Sequence, residues 1–417
     1  MRYAFLLSFV LVALLVACAG DDIPTSSPAP ALTPAASLTP TTSPTRLPPT
    51  PSATPSVLPT PPGSGLYQRL AIFAGPISGP LTPGSETEGL YIADGETVLS
   101  LIPASEAEFE LNAIPSPSGA FIVNGGELGL TRTSLDDGLA YSAGPFAGLG
   151  EFQTGLMYPC AWVEEPGTVV FAFRRQGSPT PDGFGVYDFD TERLTVIDRV
   201  NLDAGTSPAV QDCPALSSDG LSLLYHGLKD GAEDLYVAPI DGGPAKPVAP
   251  GAPIDARGTP AALPDGSIVT TAILPDPPAT GGANNYEIVR VSARGNVVTN
   301  LTVDGRYDFA SSVSADTTTL AFLSTRDGEL ALFTLALTTA GATPAKVATL
   351  EGEPADFAIA ASSWSPDGTR LAVTTGDTAS ARIYIVDLAS GSVTRVGERI
   401  RFGVAPNWLP DGSGIIF

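Results

Sequence analysis

Ser363-Trp364-Ser365-Pro366-Asp367-Gly368-Thr369-Arg370-Leu371-Ala372-Val373 decides the fold, because degraded copies of it bring the count along the chain to seven. Close copies are Asn407-Trp408-Leu409-Pro410-Asp411-Gly412 and Ala215-Leu216-Ser217-Ser218-Asp219-Gly220. Weaker ones stand at Ala262-Leu263-Pro264-Asp265-Gly266, Val313-Ser314-Ala315-Asp316, Pro115-Ser116-Pro117-Ser118-Gly119 and Trp162-Val163-Glu164-Glu165-Pro166-Gly167. All three tryptophans occupy one slot of the repeat. With Gly119, Gly167, Gly220, Gly266, Thr317, Gly368 and Gly412 as markers, the intervals are 48, 53, 46, 51, 51 and 44 residues. A near-constant period of this size, filled with strands, predicts a β-propeller.

Each copy sets an apolar residue before a turn whose residues are chosen for backbone reasons. Proline presets φ, aspartate bonds the following backbone, and glycine accepts φ above zero. The apolar run after the turn, such as Leu371-Ala372-Val373 or Leu320-Ala321-Phe322-Leu323, reads as a buried second strand. Alternating segments such as Arg382-Ile383-Tyr384-Ile385-Val386-Asp387 and Asp234-Leu235-Tyr236-Val237-Ala238-Pro239 read as third strands, and Val393-Thr394-Arg395-Val396 as a fourth. The expected fold is all-β, with four-stranded antiparallel blades: seven by count, six or eight if the closing blade is built otherwise. A β-sandwich also strings short strands between turns, but it does not repeat a four-strand unit. Arg69-Leu70-Ala71-Ile72-Phe73 is a surplus second strand, and Ser413-Gly414-Ile415-Ile416-Phe417 ends the array in mid-blade. The two ends are therefore expected to meet in one blade and close the ring.

The N-terminus carries an address. Residues 3–17 are apolar behind Arg2, too short for the ~20 residues of a spanning helix, and read as a secretory signal. The signal ends in Leu15-Val16-Ala17-Cys18, which resembles the lipobox of bacterial lipoproteins. That resemblance implies cleavage before Cys18 and acylation of its thiol. The expected organisation is a signal peptide over 1–17, a lipidated cysteine and linker over 18–64, and the propeller over 65–417. The linker is rich in Pro, Thr, Ser and Ala, with too few apolar side chains to offset the entropy of ordering, so it is expected to be a disordered tether. In polyproline geometry the stretch after Cys18 reaches about 140 Å.

Composition bounds the partners. With 44 acidic against 21 basic residues, nucleic acid is a poor partner. Arg395, Arg399 and Arg401 lie close in sequence and read as a solvated edge. Cys160 and Cys213 fall at the start of the first strands of neighbouring blades, so outside the cytosol they are candidates for a disulfide; two separate thiols is the alternative. His226, the only histidine, ends a second strand in a slot matched to Thr374 and Ser324, which favours a structural role. No Gly-x-Ser-x-Gly elbow accompanies it, and no zinc-ligand spacing is present. Asp188 and Asp190 resemble a calcium pair without the rest of the loop pattern. No catalytic residue, cofactor or metal is expected.

The phrase Trp-Ser-Pro-Asp-Gly-x-Arg-Leu-Ala-Val at residues 364–373, followed by Ile383-Tyr384-Ile385-Val386-Asp387, resembles the WD-like propeller repeat of the TolB family, with decreasing clarity from about residue 65 onward. The resemblance implies an extracytoplasmic interaction platform. The family's namesake works in the Tol–Pal envelope system and carries a separate N-terminal domain, and here a lipobox and a Pro/Thr stalk stand in that place. Related repeats also occur fused to peptidase domains, and no such domain is expected after Phe417. The expectation is thus a monomeric propeller, lipid-anchored in the bacterial envelope on the extracytoplasmic side, that binds a protein or peptide. The alternative is an envelope enzyme or a small-molecule or glycan binder using the central channel.

Overall fold

Each Asp-Gly turn of the repeat closes in the same way. In the blade that carries the parent motif, Ser365 N donates to Arg370 O at 2.9 Å and Gly368 N to Ser365 O at 2.9 Å. The Ser365 hydroxyl donates to Asp367 Oδ1 at 2.6 Å and accepts from Arg370 N at 2.9 Å. The turn thereby satisfies its own polar groups, and the flanking strands Ala361–Trp364 and Arg370–Thr375 pair antiparallel. Equivalent side-chain bonds run from Ser217 to Asp219 and from Ser314 to Asp316, while in two other turns the donor follows the aspartate, Ser267 to Asp265 and Ser413 to Asp411, as Thr369 does to Asp367.

The computed structural model describes residues 75–76, 90–93 and 98–102 and, except for several connecting segments, 113–417. All of these fall in one unit, Val57–Phe417. Cys18, the signal and linker over 1–64 and the strand expected at Arg69–Phe73 lie outside the described residues. Six sheets have four antiparallel strands in chain order: blade 1 (113–143), blade 2 (156–198), blade 3 (215–247), blade 4 (261–300), blade 5 (308–349) and blade 6 (361–400). The expectation of seven four-stranded blades is corrected to these six. The remaining sheet has five strands, in the order Gly75–Pro76, Val98–Ile102, Leu90–Ala93, Ile415–Ile416, Asn407–Trp408. It departs from the rest because both ends of the propeller supply it. Its second-strand place is taken by Ile415–Ile416, and Gly75–Pro76 adds a fifth strand on the outer edge.

The ring closes through this sheet. Trp408 Nε1 donates to Ser363 O of blade 6 at 2.9 Å, and Asn407 Nδ2 donates to Ala113 O of blade 1 at 3.3 Å. Trp364 repeats the device one blade earlier, donating to Ser312 O at 3.3 Å. Arg370 lies over the Trp408 ring at 4.6 Å, an added tie across the same junction. Trp162, whose turn is one residue longer, keeps Nε1 buried without a hydrogen-bond partner among the described residues.

Because each blade is a twisted sheet apolar on both faces, the core lies between sheets. Phe171, Phe173 and Leu149 fill the junction of blades 1 and 2. Phe322, Ile288 and Leu320 fill that of blades 4 and 5, and Leu323, Leu332 and Leu371 that of blades 5 and 6. Burying a side chain of this size contributes about 1.5–3 kcal/mol, so the ring rests on a series of small cores rather than one large one.

Candidate functional site

The expected site residues separate once folded. Cys160 lies within the first strand of blade 2, Leu156–Glu164, and Cys213 just precedes the first strand of blade 3, Ala215–Leu216. Their Cα atoms are 5.3 Å apart and their sulfurs 2.10 Å apart. That Cα separation lies within the range a disulfide spans.

His226 is 5% exposed, and its Nε2 meets the Thr270 hydroxyl of blade 4 at 3.0 Å, which ties two blades together. Its slot needs correction at two points: the second strand of blade 3 runs Ser222–Lys229, so His226 stands inside it and not at its end, and one of its matches shifts. The turn bonds Ser217 N to Ser222 O, Ser314 N to Thr319 O and Ser365 N to Arg370 O set the register, and they align His226 with Thr374 and Leu323; Ser324 lies one residue further on. Asp188 and Asp190 are held by their surroundings. Asp188 Oδ1 accepts from the amides of Asp190 and Thr191 at 2.9 and 3.1 Å, and these turn bonds hold its carboxyl below the usual range. Asp190 pairs with Arg132 at 3.1 Å. Arg395 is exposed on the fourth strand of blade 6, and Arg401 lies outside the described residues.

A constellation that the sequence does not announce sits where blade 4 crosses into blade 5. Glu287 comes from the third strand of blade 4, Asn284–Val291, and Asp304 from the crossover. Asp308 opens the first strand of blade 5, Asp308–Val313. One carboxylate oxygen of each lies within 4.8 Å of the others. Arg326, just past the second strand Thr319–Ser324, reaches into the group. Its terminal nitrogen donates to both Asp308 oxygens at 3.0 Å, and its Nε stands 2.9 Å from Asp304 Oδ2. The same guanidinium lies 5.1 and 4.9 Å from the Phe322 and Phe333 ring centroids, which fixes its position.

Glu287 is satisfied by neighbours. Thr302 Oγ1 donates to its Oε2 at 2.7 Å while accepting from Ile288 N at 2.9 Å, and Asn285 Nδ2 donates to its Oε1 at 3.1 Å. Asn285 also donates to the Arg306 carbonyl, so the crossover is bonded to blade 4 at both ends.

Burial dominates the electrostatics. Desolvation pushes the Asp308 carboxyl up to about 7 against the pull of Arg326, and it raises Glu287 against the bond from Thr302. Two ionised carboxylates at this spacing repel by about 3 kcal/mol at an effective dielectric near 20. The Arg326 guanidinium supplies a counter-charge to Asp304 and Asp308. Elsewhere, turn bonding from Ser365 lowers the Asp367 carboxyl to about 2, in contrast to this junction.

Above the network the crossover displays apolar groups. Val303 is 63% and Tyr307 41% exposed, and the Tyr307 ring packs on Tyr286 at 5.6 Å between centroids.

Six four-stranded sheets, the closing sheet and the cores between them make the chain a β-propeller. Among solved structures it is similar to a TolB protein from Agrobacterium tumefaciens, at 15% identity over 80% of this chain and 98% of that one, with a TM-score of 0.44. It is also similar to TolB from Acinetobacter baumannii, at 14% identity over 75% and 80% of the two chains, TM-score 0.42. Oligogalacturonate lyase from Vibrio parahaemolyticus is similar at 12% identity over 81% and 91%, TM-score 0.48. No family model and no curated protein matches the sequence. No helix among the described residues is long and apolar enough to cross a membrane.

Proposed function

We propose that this chain is a monomeric extracytoplasmic propeller, lipid-anchored in the envelope through Cys18 and lifted by its Pro/Thr tether, that binds a protein or peptide. One observation carries the reading: Val303 and Tyr307 stand exposed on a crossover whose underside is pinned by Thr302, Asp304, Asp308 and Arg326. Aromatic and aliphatic anchors held rigid before binding are the chemistry of an interaction hot spot. In an oxidising compartment Cys160 and Cys213 are bridged, which locks blade 2 to blade 3.

The test is crosslinking and pull-down from intact cells with wild-type protein, a Val303→Ser/Tyr307→Ala variant and Cys18→Ser. The surface variant is expected to lose the captured partner while keeping its melting temperature. Cys18→Ser is expected to leave the membrane fraction. Capture unchanged by the surface variant would reject this face, and a wild-type N-terminus without acyl groups by mass spectrometry would reject the anchor.

The convergence of Glu287, Asp304 and Asp308 favours a second reading, an envelope enzyme or glycan binder at this junction. Arg326 already occupies the cluster, which weighs against it. Turnover or binding of an acidic or neutral oligosaccharide that disappears in Asp308→Asn would favour it over the first.

A further inference from the structure

We propose that the outer edge of Val98–Ile102 in the closing sheet is a docking site for the chain's own Arg69–Ala74, which continues the Gly75–Pro76 strand upstream and seats the tether on the sheet that closes the ring. An edge strand without protection of its own stands beside a strand-forming segment whose expected place is taken.

A sheet edge presents unpaired N–H and C=O groups, and proteins blunt it with charges, proline, short length or a cover. Among the described outer strands, blade 2 has Arg193 and Asp198, blade 3 Lys246 and Pro247, blade 5 Lys346, and blade 6 Arg395, Glu398 and Arg399. The uncharged ones of blades 1 and 4, Ala140–Ala143 and Val298–Asn300, have four and three residues. Val98-Leu99-Ser100-Leu101-Ile102 has five residues and neither charge nor proline, and among the described outer strands it is the one that carries a cover.

Gly75–Pro76 fixes how that cover runs. Gly75 pairs with Ser100 and Pro76 with Leu99, antiparallel, so the register assigns the next residues upstream, Ala74 and Phe73, to Leu101 and Ile102. Leu101 has no register partner on the inner side, where Leu90 faces Ile102 and Tyr91 faces Ser100. Two pairs, one of them to a proline without an N–H, hold weakly by themselves, and continuing the strand adds to them.

The occupant follows from its sequence and from what is already filled. Leu70-Ala71-Ile72-Phe73, outside the described residues, has the apolar and aromatic composition of a strand. Its expected place as a second strand is held by Ile415–Ile416, which leaves the outer edge, where the residues that follow it are already paired. The connection from Pro76 to Leu90 keeps segment and edge in one chain, which favours this segment over one from another copy. The docking concerns the folded chain alone. Only its consequence, that load on an anchor at Cys18 enters through this edge strand, rests on the lipoprotein reading.

Hydrogen–deuterium exchange of the full chain tests it. Peptides covering 69–74 should exchange about tenfold or more below intrinsic rates, while those of the 19–64 linker exchange at them. Removing residues 1–74 should raise exchange across 98–102 by about the same factor, and a synthetic peptide of residues 69–76 added in trans should reverse it. If the shortened chain does not fold, cysteine pairs in the full chain decide: Ala74→Cys with Leu101→Cys should form a disulfide seen by mass spectrometry, and Ala74→Cys with Val98→Cys should not. Exchange of 69–74 at intrinsic rates, or bridging without regard to register, would overturn the proposal. So would protection of 69–74 with 98–102 unaffected by the removal, which would seat the segment elsewhere. Protection that falls on dilution, with a dimer on size-exclusion chromatography, would overturn it in favour of a second copy. An unacylated Cys18 would remove the anchor and leave each of these results as it stands.

Discussion

At the residue scale, the repeat uses glycine for two separable reasons. Gly368 has φ 69° with open space where a Cβ would stand, so only backbone strain opposes a side chain there. Gly295, also at φ 69°, would place a Cβ 1.6 Å from Val248 O at the end of blade 3, so the neighbouring blade must move as well. Gly368→Ala is expected to cost about 1–2 kcal/mol. Gly295→Ala is expected to cost clearly more, read from the shift in urea midpoint at unchanged slope. Equal costs would mean that blade 3 yields freely at this contact. The turn glycines are legible in sequence because their need for positive φ is local. The second role of Gly295 is not, because Val248 lies 47 residues away.

At the scale of elements, the closing sheet is the departure. Ile415–Ile416 is two residues long, yet it stands between Asn407–Trp408 and Leu90–Ala93 and joins strands from opposite ends of the propeller. Ile415, Ile416 and Phe417 are all buried, with Ile415 and Phe417 packed against Ile383 and Ile385 of blade 6. Deleting Asp411–Phe417 is expected to expose the edges of Asn407–Trp408 and Leu90–Ala93 and to abolish the cooperative melt, with aggregation on size-exclusion chromatography. A truncated protein that stays monomeric at the wild-type melting temperature would show that the ring closes without this strand. That the ends meet follows from the strand count in the sequence. That the sheet takes a fifth strand at Gly75–Pro76 does not, because a glycine and a proline carry no strand pattern.

For the whole molecule, stability is a sum over junctions, and each junction has its own tie. Blades 2 and 3 have the cysteine pair, blades 3 and 4 the His226–Thr270 contact, and blades 5 and 6 the Trp364 and Ser362 bonds. A Cys160→Ser/Cys213→Ser variant, compared in denaturant with the oxidised wild type, is expected to lose about 2–4 kcal/mol, since the bridge closes a 53-residue separation. Two free thiols in the native wild type purified without reductant would instead show that the pair is open.

The sequence alone determined what depends on neighbours in the chain: the Ser-Asp-Gly turns, the apolar second strands, the alternating third strands and hence a propeller. These are local preferences repeated at one period, and repetition makes a weak signal readable. Only the tertiary structure decided the blade count, the five-stranded closure and the partner of His226. It alone brought Glu287, Asp304, Asp308 and Arg326 together from a third strand, a crossover, a first strand and the end of a second. No spacing rule links those four positions, because what unites them is the meeting of two blades, and burial there, rather than any motif, sets their chemistry.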